Sequence, residues 1–496
     1  MQHIFKNIPL CIAGMSVTLP SAMASGSDKP DNRPNILIFI ADDISQRGLG
    51  CYGNSTVRTP NIDALARDGV KFNNAVLATS SSSPSRVSII TGRYPHNTGA
   101  CELHSPVGDE QISLAGILKG TGYYTMQAGK WHFGNSAAKP SGPFAKDFDR
   151  SGGNSKDGGG ESGAGRWVEF LRERPKDRPF FAWFAAHDAH RNWDNDMSLP
   201  RYDPDSLEIE PYFVDDRQTR EDFASYYYEV SRFDHSVGLA IEELRRQGIY
   251  DNTVIIVMAD NGRPFARAKT RLIKDGIWTP LIIRYPGNEK NAGKECNSLV
   301  SAIDIAPTLA AAAGAGKIES FQGKDFSKVI TAPGKPFRRY AFAEHNWHDF
   351  EAHERMVCTW NYILIENNRP DLNAEGAIDI MGGGSGVSLR EGNAAGNLTD
   401  LQADIFRTPR PRILLYDHVT DPMQLEDISD QRPDITGKLL EILGKWKTDT
   451  GDSTPEALTP DWYDRTSLKK NEKANTRGEM PGKSGQATRN NNPGPF

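Results

Sequence analysis

Continuous apolar runs that alternate with helical patterns constrain the fold of this chain more than any other feature of its sequence. The strand-like run at residues 35–40 is apolar without interruption after Asn35, and further strand-like runs end shortly before residues 130, 187 and 260. A strand that is buried on both faces has this pattern, because none of its side chains faces solvent. Helical segments lie between the runs. The sequence therefore predicts an α/β fold, with a large, mostly parallel sheet and helices on both of its faces.

The pattern changes near residue 336. Three short strand-like segments follow, and then a helical segment, "ITGKLLEILGKWKTDT". We therefore divide the chain into a main domain at residues 33–335 and a smaller C-terminal α+β domain with an antiparallel sheet at residues 336–462. Residues 467–496 are rich in Lys, Asn, Gly and Pro and contain few apolar side chains, a composition that predicts a disordered tail.

The N-terminal residues predict export. Residues 1–24 combine an early lysine, a short apolar stretch and the small-x-small motif Ala22-Met23-Ala24, which together are typical of a signal peptide. The mature protein is then expected in the periplasm or outside the cell. Among the remaining cysteines no pair has a metal-binding spacing, and one or two disulfides stay open. A net charge of -6 over 496 residues argues against a nucleic-acid partner or an anionic membrane surface.

Polar side chains follow the predicted strands at the point where each strand ends. They are Asp42, Asp43, Lys130, His132, His187, Asp260 and Asn261. In open α/β sheets, the carboxyl ends of parallel strands form the edge at which ligands bind. Carboxylate and amide oxygens are the ligands that calcium and magnesium prefer. The acidic and amide side chains therefore form a candidate cation site, although each pair taken alone also fits a turn or a helix cap.

The segment "TSSSSPSRVSIITGR", residues 79–93, places a cluster of hydroxyl groups immediately before a helical run. Serine is a favoured N-cap and proline is favoured in the first helical turn, so capping alone explains most such clusters. A helix N-terminus also presents backbone N–H groups and a partial positive charge to an anion. The segment is therefore either a cap or part of an anion-binding site.

The same segment, with Ser82-Ser83-Pro84-Ser85-Arg86 followed by Thr91-Gly92-Arg93, resembles the sulfatase signature (Cys or Ser)-x-Pro-Ser-Arg with its downstream Thr-Gly. The segments "ADD", "GKWHFG", "HDAH" and "ADNG" follow the order and spacing of that family. The resemblance extends from about residue 33 to residue 450 and looks most like the sulfamidase (N-sulfoglucosamine sulfohydrolase) branch. It implies an alkaline-phosphatase-like fold and the hydrolysis of a sulfuric ester or a sulfamate.

The resemblance assigns a role to each signature residue. In this family the residue at the position of Ser82 is oxidised to formylglycine, whose hydrate attacks sulfur with one hydroxyl and expels sulfate with the other. Arg86 would fix this residue. Lys130 and His132 would reach it from one strand end, with His132 as the base that releases the sulfate.

Further roles follow from the same resemblance. His187 and Lys269 would hold sulfate oxygens and assist the leaving group, as a general acid must lie near that atom. Arg267 and Arg271 in the same loop are alternatives to Lys269. One calcium ion would be held by a set of oxygen ligands, namely Asp42, Asp43, Ser82, Asp260 and Asn261.

A sulfated carbohydrate is the implied substrate. It would be either N-sulfated glucosamine of heparan sulfate or heparin, or an O-sulfated polysaccharide such as carrageenan. The candidate sugar contacts are His104, His345, His348 and Arg355. Because position 82 is serine rather than cysteine, the resemblance implies a bacterial radical-type sulfatase-maturating enzyme as a partner. An engineered Cys→Ser change at this position is the other explanation.

Two other functions remain as alternatives. A phosphatase or phosphodiesterase of the same superfamily would use Ser82 directly as its nucleophile. Such enzymes resemble two-zinc proteins with Asp-His-Gly where this chain has Asp260-Asn261-Gly262, and an amide suits one hard cation better than a second zinc. A catalytically inactive glycan-binding protein, in which Ser82 is never converted, is the second alternative.

Overall fold

The computed structural model describes residues 32–135, 140–154, 160–193, 198–471, 476–482 and 487–496. The predicted signal peptide, residues 1–24, lies outside this part of the chain. The strands are β1 Asn35–Ala41, β2 Val70–Phe72, β3 Ala75–Val76, β4 Tyr124–Gly129, β5 Arg150–Gly152, β6 Phe180–Ala185, β7 Thr253–Ala259, β8 Leu281–Arg284, β9 Lys294–Cys296, β10 Val300–Ser301, β11 Ala341–His345, β12 Glu354–Cys358, β13 Tyr362–Asn367 and β14 Ile413–Asp417.

The helices connect these strands and cover the sheets. They are α1 Pro60–Asp68, α2 Ser82–Thr91, α3 Leu114–Gly120, α4 Trp167–Glu173, α5 Arg217–Arg246, α6 Lys274–Ile277, α7 Ile305–Ala312, α8 Ser327–Thr331, α9 Ile378–Met381, α10 Gly384–Ala395, α11 Asp400–Ala403 and α12 Pro433–Thr450. Within the described residues, none of these helices is both long enough and apolar enough to cross a membrane.

The central sheet has eight strands in the order β5-β4-β6-β1-β7-β8-β2-β9. The neighbouring strands β5, β4, β6, β1 and β7 are parallel to one another. Strand β8 is antiparallel to its two neighbours, β7 and β2. The parallel strands β4, β6, β1 and β7 are therefore adjacent, so that their carboxyl ends meet at one edge. The predicted α/β fold with a mostly parallel sheet is confirmed.

Alternate residues of β1 face two separate hydrophobic cores. Ile36, Ile38 and Ile40 pack with residues of α2, α3 and α7 on one side of the sheet. Leu37 and Phe39 pack with residues of α1, α4 and α5 on the other side. Full burial of one such side chain contributes roughly 1.5–3 kcal/mol, which explains why the strand is a continuous apolar run. Helices thus cover both faces, as the sequence predicts.

The second sheet is antiparallel and has the strand order β11-β12-β13-β14. The long helix α12 packs on it, and the ring of Trp446 stacks on that of Phe342 with centroids 5.1 Å apart. Residues Arg33–Phe496 form one compact unit. Both sheets lie within this unit, and the domain boundary near residue 335 stays a prediction.

The C-terminal residues pack against the body of the protein. Arg93 donates hydrogen bonds to the carbonyl of Asn490 at 2.9 Å and to Oδ1 of Asn491 at 2.6 Å. The ring of Phe496 lies edge-on to that of Phe337, with centroids 5.1 Å apart. The prediction of a disordered tail is thus wrong for the described residues from 467 onward. The amino-acid composition led to the wrong prediction because polar contacts, rather than buried apolar side chains, hold much of this segment in place.

The four described cysteines, Cys51, Cys101, Cys296 and Cys358, are all free thiols. Three of them are buried, and burial raises the pKa of the Cys358 thiol to about 12. None of the disulfides that the sequence left open is formed among these residues.

Candidate active site

Helix α2 begins at Ser82 and points its N-terminus at the carboxyl edge of the central sheet. The Ser82 hydroxyl oxygen lies 3.1 Å from Oδ1 of Asp42 and 2.9 Å from Oδ1 of Asn261. The preceding residue, Ser81, makes no side-chain cap to the helix, and its hydroxyl instead lies 2.8 Å from Nδ1 of His348. Capping therefore does not explain this cluster, and Ser82 lies in a polar site.

The candidate cation ligands come together as predicted. Asp42 and Asp43 follow β1, and Asp260 and Asn261 follow the adjacent strand β7. The three carboxylates are fully buried and each offers an oxygen atom within 4.8 Å of the others. Asp43 has a positive φ of 59°, a left-handed conformation that costs energy in a non-glycine residue and is typical of functional sites. This set of oxygen donors fits one hard divalent cation.

Two basic side chains contact Asp42 or Asp260 of this set. Arg86 Nε donates to Oδ2 of Asp260 at 2.7 Å, and the Lys130 ammonium contacts Asp42. Burial alone would raise the pKa of Asp42, but Lys130 and Arg86 hold that pKa well below its usual range. Burial raises the pKa of Asp260, even though Arg86 opposes this effect. The basic groups thus offset part of the buried negative charge and leave the site able to bind an anion beside a cation.

His132 lies two residues beyond Lys130 and has the properties of a neutral base. Burial, and then the nearby Lys130, hold the pKa of His132 well below its ordinary value. Its Nε2 lies 3.0 Å from Nδ1 of His104, and within the described residues its Nδ1 has no hydrogen-bond partner. The uncharged imidazole can therefore accept a proton. His104, one of the predicted sugar contacts, is exposed and lies next to it.

His187 follows β6 at the same edge. Burial, reinforced by Lys130, lowers the pKa of His187 to about 4. Its Nε2 is buried and makes no hydrogen bond to any described residue. His187 therefore lies at the same edge of the sheet as the candidate cation ligands, with one ring nitrogen available to a ligand.

The structure distinguishes Lys269 from its alternatives. Lys269 Nζ lies 2.9 Å from Oδ2 of Asp43, whereas Arg267 pairs with Asp404 at 3.1 Å and Arg271 faces Glu354. The adjacent residue, Thr270, donates its backbone N–H to the carbonyl of Ser80 at 2.9 Å. This bond ties the Lys269 loop to the segment that leads into α2.

Two of the other predicted sugar contacts lie near the nucleophile segment. His348 contacts Ser81, as described above, and His345 lines a small cavity of about 30 Å³ together with His348 and Thr270. In the register of β11 and β12, His345 lies opposite Glu354, so these two side chains share one face of the sheet. The next residue on β12, Arg355, therefore points to the other face.

Among the predicted sugar contacts, Arg355 lies away from the site. It is fully buried and forms a bidentate ion pair with Asp452, with distances of 2.6 and 2.8 Å. Such a pair satisfies the charge of an arginine inside the protein. The prediction that Arg355 contacts a sugar is therefore wrong, because its strand position directs it into the core.

Two further polar residues at the site were missed by the sequence analysis. Asp379 Oδ2 accepts a hydrogen bond from Lys269 Nζ at 2.8 Å, and His190 Nε2 lies 3.8 Å from the same oxygen. His190 is the second histidine of "HDAH", so its motif carried a signal. Asp379 lies more than a hundred residues from Lys269 in a glycine-rich stretch, and no local pattern marks it.

Comparison with known proteins agrees with this geometry. Residues 34–315 match the sequence profile of the sulfatase family, and residues 268–371 match that of the N-sulphoglucosamine sulphohydrolase C-terminal region. The chain is similar to human N-sulphoglucosamine sulphohydrolase, with 29% identity over 86% of this chain and 92% of the relative. It is also similar to an ulvan-active sulfatase of Formosa agariphila, with 26% identity over 86% of this chain and 76% of that protein. Among solved structures, one in complex with its substrate D-glucosamine-2-N,6-O-disulfate has 19% identity and a TM-score of 0.62, covering 84% of this chain and 98% of its own.

Proposed function

The chain belongs to the sulfatase family, and we propose that it releases sulfate from a sulfated oligosaccharide or polysaccharide, with residue 82 as the nucleophile. One observation supports this proposal most directly. The Ser82 side chain lies at a helix N-terminus and within hydrogen-bond distance of two residues of the candidate cation site. Nucleophile, cation and the partial positive charge of the helix would then act on the same sulfate group.

We propose that Ser82 is converted to formylglycine, which supplies a hydrated aldehyde with two hydroxyl groups on one carbon. The surrounding residues support this placement. Arg86 and Lys130 bring positive charge to the buried cluster, where the sulfate would bind. Neutral His132 would take up the proton when the second hydroxyl expels sulfate, and His187 and Lys269 would hold sulfate oxygens on the leaving-group side.

Calcium is the proposed cation. Its ligands would be Asp42, Asp43, Asp260, Asn261 and residue 82, all of which offer oxygen atoms. When bound, the ion would neutralise negative charge on the sulfate during attack. Asn261 offers an amide oxygen at the position where the two-zinc enzymes have a histidine, which argues against the two-zinc phosphatase alternative.

The proposed leading substrate is an N-sulfated glucosamine residue. The match of residues 268–371 to N-sulphoglucosamine sulphohydrolases supports it, whereas the similarity to an ulvan-active sulfatase supports an O-sulfated polysaccharide. Matured enzyme should be incubated with defined N-sulfated and O-sulfated saccharides and the free sulfate measured. Release of sulfate from none of them, together with binding to some, would favour the inactive glycan-binding alternative.

The place of action and the maturation partner are also proposed. The signal-like residues 1–24 support export to the periplasm or the medium, and serine at position 82 supports a radical-type maturase. Both follow from sequence features rather than from contacts in the folded protein.

We expect replacement of His132 by alanine to slow the release of sulfate far more than its transfer. Loss of a positioned base typically lowers a step about 10²- to 10⁴-fold, so sulfate should stay covalently attached to residue 82. Mass spectrometry of the peptide containing residue 82 would detect the added sulfate. The exposed His235 on α5 provides a matched control, His235→Ala, which should behave like the wild type. Wild-type turnover by His132→Ala would refute the assigned role.

A further inference from the structure

Asp379 is a carboxylate at the rim of the site that no proposed step uses. It lies on α9, in the C-terminal part of the chain, and accepts a hydrogen bond from Lys269 Nζ at 2.8 Å. Its side chain is 20% exposed, whereas Asp43, the other carboxylate on Lys269, is fully buried. Asp379 is therefore the carboxylate of this cluster that a bound substrate can reach.

An ionised carboxylate beside a sulfate group opposes the binding of that group. Burial would raise the pKa of Asp379, but Lys269 and His190 hold it below its ordinary range, so the carboxylate is charged at neutral pH. Lys269 offsets this charge, yet it also contacts Asp43. A cationic or hydrogen-bond-donating group of the substrate next to the sulfate would make the carboxylate favourable for binding.

N-sulfated and O-sulfated substrates differ in whether the atom bonded to sulfur can donate a hydrogen bond. When an O–S bond breaks, the leaving oxygen becomes a neutral hydroxyl group, and in the intact ester it carries no hydrogen. When an N–S bond breaks, the nitrogen carries a hydrogen from the start, keeps the electron pair of the broken bond and takes up a proton to become an amine. An amine of this kind binds a further proton near neutral pH and becomes an ammonium ion. In the intact substrate, the atom bonded to sulfur can therefore donate a hydrogen bond to a carboxylate only when that atom is nitrogen.

We propose that Asp379 is a specificity-determining residue, whose carboxylate accepts a hydrogen bond from the N–H of an N-sulfated amino sugar and pairs with the ammonium group that hydrolysis leaves. This inference rests on the proposed sulfatase function and makes its substrate class more specific. Asp379 then favours cleavage of N–S bonds over O–S bonds, because the bridging oxygen of an O-sulfate has no hydrogen to donate to the carboxylate.

The test compares matured wild-type enzyme with Asp379→Asn on glucosamine N-sulfate and on N-acetylglucosamine 6-sulfate. The variant should lose about 10- to 100-fold in kcat/KM for the N-sulfate, the size expected for one charged hydrogen bond, and should change little on the 6-sulfate. Equal losses on both substrates would show that Asp379 only positions Lys269, and would overturn the proposal. Wild-type enzyme that cleaves the 6-sulfate and spares the N-sulfate would overturn it while leaving the sulfatase function intact.

Calorimetry of sugar binding tests the role of Asp379 without any turnover of substrate. Wild-type protein should bind glucosamine, which carries an ammonium group, more tightly than neutral N-acetylglucosamine by calorimetry, and Asp379→Asn should lose that preference. Asp434→Asn is the matched control, because Asp434 is exposed and pairs with Arg432 at 3.2 Å near the start of α12. If wild-type protein releases sulfate from neither substrate, the proposed function fails, and the calorimetric preference still supports or overturns the role of Asp379. A preference that is absent from the wild type or retained in Asp379→Asn overturns it.

Discussion

Protein produced without a serine-competent maturase should carry unmodified Ser82 and should be essentially inactive as a sulfatase. An unmodified serine can accept a sulfate group, but it has no second hydroxyl on the same carbon with which to expel it. Coproduction with such a maturase should remove two hydrogen atoms from residue 82, which peptide mass spectrometry would detect. Sulfate release should appear with the aldehyde and increase in proportion to it.

Two variants sharpen this prediction. Ser82→Ala removes the nucleophile and should lower sulfate release by roughly 10⁴-fold or more, while substrate binding is retained. Ser88→Ala is the control, since Ser88 is a buried serine on the same helix α2 and lies about 1.7 turns further along. Its hydroxyl makes no hydrogen bond within the described residues. Equal turnover by the serine and aldehyde forms would contradict the mechanism and favour a direct serine nucleophile.

The sequence predicts the sheet and the strand ends well because both depend on local patterns. A strand between two helical layers must be apolar along its length, as β1 is, and this pattern is visible without any knowledge of its neighbours. Parallel strands then place their carboxyl ends at one edge, which is why Asp42 and Asp260 could be grouped although they are 218 residues apart in sequence numbering, as are Asp43 and Asn261.

Contacts between distant polar residues could not be predicted in this way. Arg355 has the residue type of a sugar contact, but its strand position pairs it with Asp452 in the core. Asp379 was not predicted at the site, yet it pairs with Lys269 there. It lies in a glycine-rich segment that has no recognisable motif. The C-terminal residues have the composition of a disordered segment, yet Arg93 binds their carbonyl groups. In each case the partner, rather than the local sequence, decides the role.

Thorough removal of divalent cations should lower activity strongly, and calcium should restore it. Asp42, Asp43 and Asp260 are fully buried and their carboxylate oxygens lie close together, an arrangement of oxygen ligands that suits a divalent cation. Loss of one electrostatic group of this kind typically costs about 10²- to 10³-fold in kcat. Calcium should also raise the melting temperature, because an ion that binds only the folded protein stabilises it.

Asp43→Asn tests the same site from within the chain. The variant loses one charged ligand, so the calcium-dependent rise in melting temperature should shrink, and activity should fall at least as far as the loss of one electrostatic group predicts. Asp434→Asn is the control, because Asp434 is exposed and pairs with Arg432 at 3.2 Å near the start of α12. Full activity in protein shown by elemental analysis to hold no metal would refute the cation site. A response to magnesium equal to that of calcium would support the cation site but not the choice of calcium. Both ions bind oxygen ligands, and their sites differ mainly in geometry.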